Sequence, residues 1–408
     1  MLYPGLLKAA LNARRGEFEE FERESGEEAL GYAQALRVLG GSSARDRLAS
    51  LLSCTGNERI PEALPTDELD REHQVSIAFR NKWHSHEEAR RWAVEVLQNR
   101  VTFAVDGSQL LLGREVSLPI AAIQIAWFEN PHSPEIDYKK QAKAEVLSPG
   151  RLRDKDGQMN PEKHAAFHRT RLEIEELAEF VRSKAGWRDR GERMPLGFFD
   201  GSFAYLISFP LPAAELQQEY ANAVIALIKN SQESEVPIVG FVDHSYAREL
   251  VKLVDAIEGR DRGGAKYPYN SQILRAETST EPALLRAWGD RTILFSFTGS
   301  TLGEDAGNPL LGFCYLQTTA DSLPARLDLP RWIYDAGLLD EVIDVVRAEC
   351  VVGLGYPYAI ETADEAAVIT ARDRQVFLKT FQEFAEGAEL RFEVSRKAMS
   401  KANRRNRG

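Results

Sequence analysis

The sequence predicts an α/β protein. Three observations carry that reading. Short apolar runs with a period of two alternate along the chain with longer amphipathic segments. The tripeptide Asp-Gly-Ser is written twice, each time after such a run, in Val101-Thr-Phe-Ala-Val-Asp106-Gly107-Ser108 and in Leu196-Gly-Phe-Phe-Asp200-Gly201-Ser202. At 408 residues and 43% hydrophobic content, the chain can bury the core of one large or two ordinary domains.

Taken in order, residues 1 to about 50 read as charged helices, among them Phe18-Glu-Glu-Phe-Glu-Arg-Glu, and form an N-terminal helical arm. Pro61 to Glu72 reads as a polar, proline-containing linker. A helix follows, opened by Ser85 with Glu88 three residues on, a capping-box pattern, with Ala89, Trp92, Ala93 and Val96 on one face. It leads into the first Asp-Gly-Ser strand, where Val101, Phe103 and Val105 alternate. A second strand, Pro119 to Phe128, alternates Ile123, Ile125 and Trp127, and a charged, Pro/Gly-punctuated insertion then runs to about Asn160. Pro161 to about Lys184 is a long helix. The second Asp-Gly-Ser strand, a helix from Ala213 to Ile228, the strand Val236 to Val242 and a helix from Ser245 to Ile257 come next. Gly259 to Gln272 reads as a loop. Strands at Thr292 to Phe297 and Leu310 to Leu316 precede helices at about Leu338 to Glu349 and Ala371 to Ala385.

The longest uncharged apolar run, Leu118 to Phe128, is only about half the length needed to span a bilayer, and the N-terminus lacks a signal-peptide core, so a cytoplasmic protein without membrane contact is expected. The three cysteines, Cys54, Cys314 and Cys350, have no metal or redox spacing and suit a reducing compartment as small buried hydrophobes. A net charge of −11 has the wrong sign for a module that grips nucleic acid through a broad basic face. A nuclease tolerates it, because bound metal ions supply positive charge and a partner can deliver the strand. The strongly basic stretch is the end, Arg391, Arg396, Lys397, Lys401, Arg404, Arg405 and Arg407 against Glu393, which reads as a disordered tail.

Each Asp-Gly pair is expected at a strand-to-turn boundary, where hard divalent cations are held by carboxylate oxygens and water. Asp-Gly is also the commonest turn dipeptide, and the signal lies in the pair with matching strand context. Between the two strands, Phe167, Ile174, Leu177, Ala178 and Val181 mark the apolar stripe of the long helix. On that wheel Glu176 points nearly opposite the stripe, to solvent. Glu175 sits beside Arg171 and Arg182, where a solvated ion pair is expected. Glu173 falls between Leu177 and Phe180, and a carboxylate against apolar neighbours is costly unless paired or metal-bound, so it is the best candidate to complete an acidic cluster. Further on, Gly353-Leu-Gly355-Tyr356-Pro-Tyr358 marks a turn whose tyrosine can plug a gap, stack on a base or hydrogen-bond a phosphate. Asp364 follows it as a further candidate ligand. Asp243 and His244 read as an N-cap and a packed or solvated histidine.

Four blocks together resemble the NurA nucleases, the DNA-end-processing partners of the HerA translocase ATPase. They are Thr102-Phe-Ala-Val-Asp106-Gly-Ser-Gln109; Arg171-Leu-Glu173-Ile-Glu175 before Phe199-Asp200-Gly-Ser; Val239-Gly-Phe-Val-Asp243-His244-Ser245; and Tyr356-Pro-Tyr with Ala363-Asp364. The likeness runs from about Trp83 to Ile369. It implies an RNase H-like core, a mixed sheet flanked by helices, within residues 76–388; the helical arm and linker over 1–75 and the basic tail over 389–408 lie outside it. It also implies a homodimer, and Mn²⁺-dependent cleavage of DNA from 5′ ends together with endonuclease action on single strands. Carried over residue by residue, the acids are Asp106, Glu173 and Asp200 and the late aromatic is Tyr356. One position departs: Asp364 stands where archaeal members place a histidine, which leaves the number of metals and the metal preference open.

The expected chemistry is metal-assisted phosphodiester hydrolysis, in which Asp106, Glu173, Asp200 and Asp364 hold one or two Mn²⁺ or Mg²⁺ ions and no protein nucleophile is needed. The expected partners are single-stranded DNA and duplex ends, and a HerA-type hexameric ATPase. Two other classes compete: a catalytically silent adaptor of a translocase ATPase, and a metal-dependent phosphohydrolase acting on small phosphoesters.

Overall fold

The computed structural model describes residues 3–41, 46, 48–49, 61–112, 116–208, 214–260, 268–298, 304–305 and 308–393. The chain forms two compact units from interleaved segments. One comprises Met1–Glu88, Gly201–Ser208 and Gly240–Ala336, the other Ala89–Asp200, Phe209–Val239 and Gly337–Gly408.

The second unit is built on α1 (His86–Leu97, from Ala89 on), β1 (Thr102–Leu112), β2 (Ile120–Asn130), β3 (Lys139–Leu147), α2 (Pro161–Lys184), β4 (Leu196–Asp200), α3 (Ala214–Glu233), the first residues of β5 (Ile238–Val242), α4 (Leu339–Val352), α5 (Tyr358–Ala367) and α6 (Ala371–Gly387). The strands β1, β2 and β3 form an antiparallel meander, with Thr102 opposite Asn130 and Ala121 opposite Leu147, and β4 runs parallel to β1 with Val105 opposite Phe199. This order, β4-β1-β2-β3, is a mixed, RNase H-like sheet.

Helices cover both faces. Residues of β1 alternate between the faces, and the odd positions meet α2, where Phe103 stacks on Phe180 at 4.5 Å. The opposite face meets α5. There Tyr358 packs edge-on against Phe128 at 5.9 Å, and Gln124 donates to the carbonyls of Ala366 and Ala367 at the helix end. At the far end of β1, buried Leu110, Leu112, Val116 and Ile120 pack against Ile369, Phe377, Leu378 and Phe381, which docks α6. Thr370 caps that helix in a reciprocal box with Asp373.

In the first unit, antiparallel strands run in the order Ala63–Pro65, Phe295–Phe297, Leu311–Leu316, Ala325–Pro330 and the Gly240–Val242 end of β5. The helix Arg15–Arg37 buries Ala29, Tyr32, Ala33 and Leu36, and Tyr32 donates to Asp255 at 2.8 Å. Buried charges are compensated in place: Arg291 pairs with Glu68 at 2.6 Å, and Arg326 with Asp328 at 2.6 Å and Glu249 at 2.8 Å.

Several expected elements are revised. The segment read as a linker, Pro61 to Glu72, contains the strand Ala63–Pro65 and the helix Glu68–Glu72; Glu68 is buried because Arg291 neutralises it, so polarity there marks a paired charge. The charged insertion contains β3. Six of its first seven residues are exposed, and without an apolar face a lysine-rich edge strand gives no alternation signal. The expected loop Gly259 to Gln272 is entered by the helix Asn270–Arg275, and the helix expected from Ser245 starts at Glu249, so Asp243 is no N-cap. The strand Ala325–Pro330, with charges at Arg326 and Asp328, was hidden because its fully buried charges pair within the protein. Cys314 and Cys350 are buried, as expected. Cys54 and the tail beyond residue 393 lie outside the described residues. Among the described residues, no helix is long and apolar enough to cross a membrane.

Candidate active site

The second unit brings the five predicted site residues into one neighbourhood from four elements and a turn. Asp106 comes from β1. The Asp-Gly-Ser tripeptide here lies in the middle of an eleven-residue strand, not at the expected turn. Gly107 is required for another reason. A Cβ at this position would stand 2.5 Å from Glu173 Oε1 and 2.8 Å from Arg169 Cγ, so only a glycine lets the α2 side chains lie directly on the β1 backbone. Alternation along the strand then puts Glu173 on the Gly107 side of the sheet and aims Asp106 to the other side.

The second tripeptide does match its expectation. Asp200 ends β4 and is exposed, and Gly201 turns the chain with φ +146°, a conformation that side chains rarely adopt. Tyr356, delivered by the turn after α4, donates its hydroxyl to Asp200 Oδ1 at 3.0 Å. Asp364 is exposed on α5, near enough to Asp106 for its charge to act on that carboxyl.

Burial, then the charges of Asp200 and Asp364, push Asp106 up to about 6, although the Gly107 amide donates to it and acts in the opposite sense. Glu173 is more perturbed. It is 5% exposed, and burial, reinforced by the charges of Asp106 and Asp200, pushes it to about 8 despite the opposing charge of Arg169. Arg169 Nε lies 3.3 Å from Glu173 Oε1 without hydrogen-bond geometry, and both atoms are buried with no hydrogen-bond partner.

The other two helix acids separate cleanly from Glu173. Glu175 pairs with Arg171 at 3.2 Å on the surface, as its wheel position predicts. Glu176 does not face solvent as expected: its side chain is 14% exposed and pairs with Lys143 of β3 at 2.7 Å. The wheel misplaced it because β3, unrecognised in the sequence, covers that side. Asp243 and His244 belong to the first unit, where they pair with each other at 2.7 Å on the surface.

Two positioning groups escaped the sequence reading. Arg169 was available from the i,i+4 spacing to Glu173. Glu349, fully buried on α4, accepts from the Ala359 amide at 3.0 Å in the first turn of α5, with His132 Nε2 3.2 Å from its other oxygen. No local pattern announces that role.

The donor set is all carboxylate oxygen, the chemistry of a hard divalent ion. Two of its members are held toward the protonated form by crowding, and Glu173 Oε1 is buried without a hydrogen-bond partner, so these residues fit such an ion. Among the described residues no three acids already converge on one point. The acids are neighbours whose side chains must still turn toward a shared ligand.

Among solved structures, the chain is similar to the NurA nuclease from Sulfolobus solfataricus, at 13% identity and a TM-score of 0.47, covering 71% of this chain and 85% of that one. It is similar to a NurA crystallised with manganese, at 8% identity and a TM-score of 0.39 over 76% of this chain and 94% of that one. The catalytic domain of human Endonuclease V follows at 15% identity and a TM-score of 0.33, covering 75% and 92%. No curated protein sequence matches. The family model of the NurA domain matches residues 100–369, about two thirds of the chain, from two residues before β1 to the residues that link α5 to α6, and includes all five site residues. The chain belongs to the NurA family.

Proposed function

We propose that the protein is a metal-dependent DNA nuclease, a 5′ to 3′ exonuclease and single-strand endonuclease that acts in DNA end processing with a HerA-type ATPase. The observation that carries the reading is the crowding of Asp106 by Asp200 and Asp364, with Tyr356 hydrogen-bonded to Asp200, beside a buried Glu173 within the stretch that defines the family.

Asp106, Asp200, Asp364 and Glu173 would hold one or two Mn²⁺ or Mg²⁺ ions. Such an ion, when bound, lowers the pKa of a coordinated water and neutralises charge on the scissile phosphate. The protein residues supply the rest. Asp106 and Glu173, held apart by the sheet face and by Gly107, offer oxygens from two sides. Asp200, on an exposed strand end, is open to substrate. The Tyr356 hydroxyl orients Asp200 and can donate to a phosphate oxygen in exchange. With Asp364 in place of a histidine, the site is acid-only at this position, which favours Mg²⁺ more than an imidazole ligand would.

The test is cleavage of labelled single-stranded DNA, nucleotides and a chromogenic phosphodiester, each with Mn²⁺, Mg²⁺ or EDTA. Metal-dependent cutting of DNA with little turnover of the small substrates is expected. Preferential turnover of small phosphoesters would replace the reading with a phosphohydrolase, and no turnover of any substrate would favour an adaptor.

A further inference from the structure

Arg169 is placed where a cation would be needed if no metal were present. Its Nη1 donates to the Gly107 carbonyl at 3.2 Å and its Nε lies 3.3 Å from Glu173 Oε1, so the guanidinium bridges β1 and α2 beside the acids. The two partners are unequally buried: the Glu173 side chain is 7% exposed and that of Arg169 36%. Glu173 is therefore fixed while Arg169 has an open side toward which to swing. The contact is also poorly made. Nε and Oε1 approach without hydrogen-bond geometry, and neither finds another hydrogen-bond partner. A pair that is close in charge but badly aligned holds its carboxylate less firmly than a bidentate one.

The missing side chain of Gly107 completes the arrangement. The volume that a Cβ would fill is taken by Glu173 Oε1 and Arg169 Cγ together, so the Asp-Gly-Ser strand is shaped to receive the pair and not the acid alone. Two other cations on or beside α2 are already paired, Lys143 with Glu176 at 2.7 Å and Arg171 with Glu175 at 3.2 Å.

We propose that Arg169 is a positioning residue, the resident counter-cation of Glu173, which a divalent ion must displace from the carboxylate to use it as a ligand. The proposal rests on the metal-dependent reading of the site. A fixed positive charge this close to a ligand oxygen opposes a second cation, so Arg169 lowers the affinity for metal while it keeps Glu173 compensated and in place in the metal-free protein.

The experiment is Mn²⁺ binding to the full chain, by calorimetry and by metal-induced shift of the thermal midpoint, for wild type, Arg169→Met, Arg169→Lys and Arg169→Met combined with Glu173→Gln. Arg169→Met keeps the aliphatic stem and loses the charge, and at low salt and a pH high enough that Glu173 is ionised in both proteins it is expected to bind Mn²⁺ about tenfold tighter than wild type. Arg169→Lys keeps the charge and is expected to stay within about threefold of wild type, which separates charge from packing should the methionine variant fold poorly. In the Glu173→Gln background the effect of Arg169→Met should vanish. A purely structural residue would move the metal-free midpoint alone. Unchanged or weaker Mn²⁺ binding in a folded Arg169→Met protein, with wild type binding normally, overturns the role of Arg169. Failure of wild type itself to bind Mn²⁺ overturns the metal-dependent reading, and this proposal with it.

Discussion

Asp106 and Glu173 carry opposite relations to the same sheet, and substitutions at each should differ from those of ordinary surface acids. Asp106→Asn and Asp200→Asn should each remove DNA cleavage while leaving the fold intact. Asp106→Asn should also raise the metal-free thermal midpoint slightly, because it removes a charge that burial and two neighbouring acids disfavour. Wild-type cleavage by either variant would remove the acid from the site. Among the helix acids, Glu173→Gln should lose activity and Glu175→Gln should keep it; Glu176→Gln should also stay active, since its partner is Lys143. An essential Glu175 with a dispensable Glu173 would contradict the assignment. Gly107→Ala drives a methyl group into Glu173 and Arg169, and should cost about 1–3 kcal/mol in urea unfolding together with most of the activity.

The pH dependence of stability has a defined sign. Asp106 rises from 3.8 to about 6 and Glu173 from 4.5 to about 8, so these two groups hold more protons in the folded than in the unfolded chain, an effect that outweighs His168, which burial pushes the other way to about 4. Metal-free stability should therefore fall as pH rises from about 4 to about 8, and the fall should be shallower in Asp106→Asn and in Glu173→Gln. Thermal unfolding in EDTA across that range measures it; a curve that rises toward pH 8 and is unaltered by both variants would contradict the charge arrangement.

Two short devices place the site at the scale of elements. The turn between α4 and α5 is closed by the Gly355 amide donating to the Cys350 carbonyl at 2.7 Å, and it brings Tyr356 to Asp200. Glu349 then satisfies a free amide in the first turn of α5, the helix that presents Asp364. Glu349→Ala strands that amide and a histidine contact in a buried place, so a loss of about 1–3 kcal/mol is expected, with reduced cleavage because α5 loses its anchor. A variant with wild-type stability and activity would show that α5 is positioned without it.

Legibility in the sequence followed the same division. Alternation of Phe103 and Val105 announced β1, and the apolar neighbours of Glu173 singled it out from Glu175 and Glu176, because burial against a sheet imposes a period on one chain segment. The strand β3 was illegible, since Lys139, Lys140 and Lys143 stand on an edge with no apolar face. Glu176 was misjudged as a direct result. The strand holding Arg326 and Asp328 was illegible for the reverse reason: its charges are buried, and the Glu249 that compensates one of them is 77 residues away. The two Asp-Gly-Ser copies fall in one neighbourhood, but the sequence offers one structural reason for both. Asp200 needs a turn, whereas Asp106 needs a glycine beside it that leaves room for a second helix layer.

At the scale of the whole molecule, the charge of −11 sets how DNA is met. Counterion release on the phosphate backbone drives non-specific binding, and a chain with this balance gains little of it. Weak DNA binding by the isolated protein at physiological salt is expected, with cleavage raised by a ring-shaped translocating ATPase and ATP. Tight binding and full activity without any partner would make the ATPase unnecessary to the account.

The most direct measurement is a crystal structure of the protein soaked with Mn²⁺ and recorded at a wavelength that gives anomalous signal from manganese. The account predicts an anomalous peak within coordination distance of Asp106 and Asp200, with Glu173 or Asp364 completing the ligands and Arg169 turned away from Glu173. A peak elsewhere in the protein, or none with the acids in their metal-free positions, would contradict it.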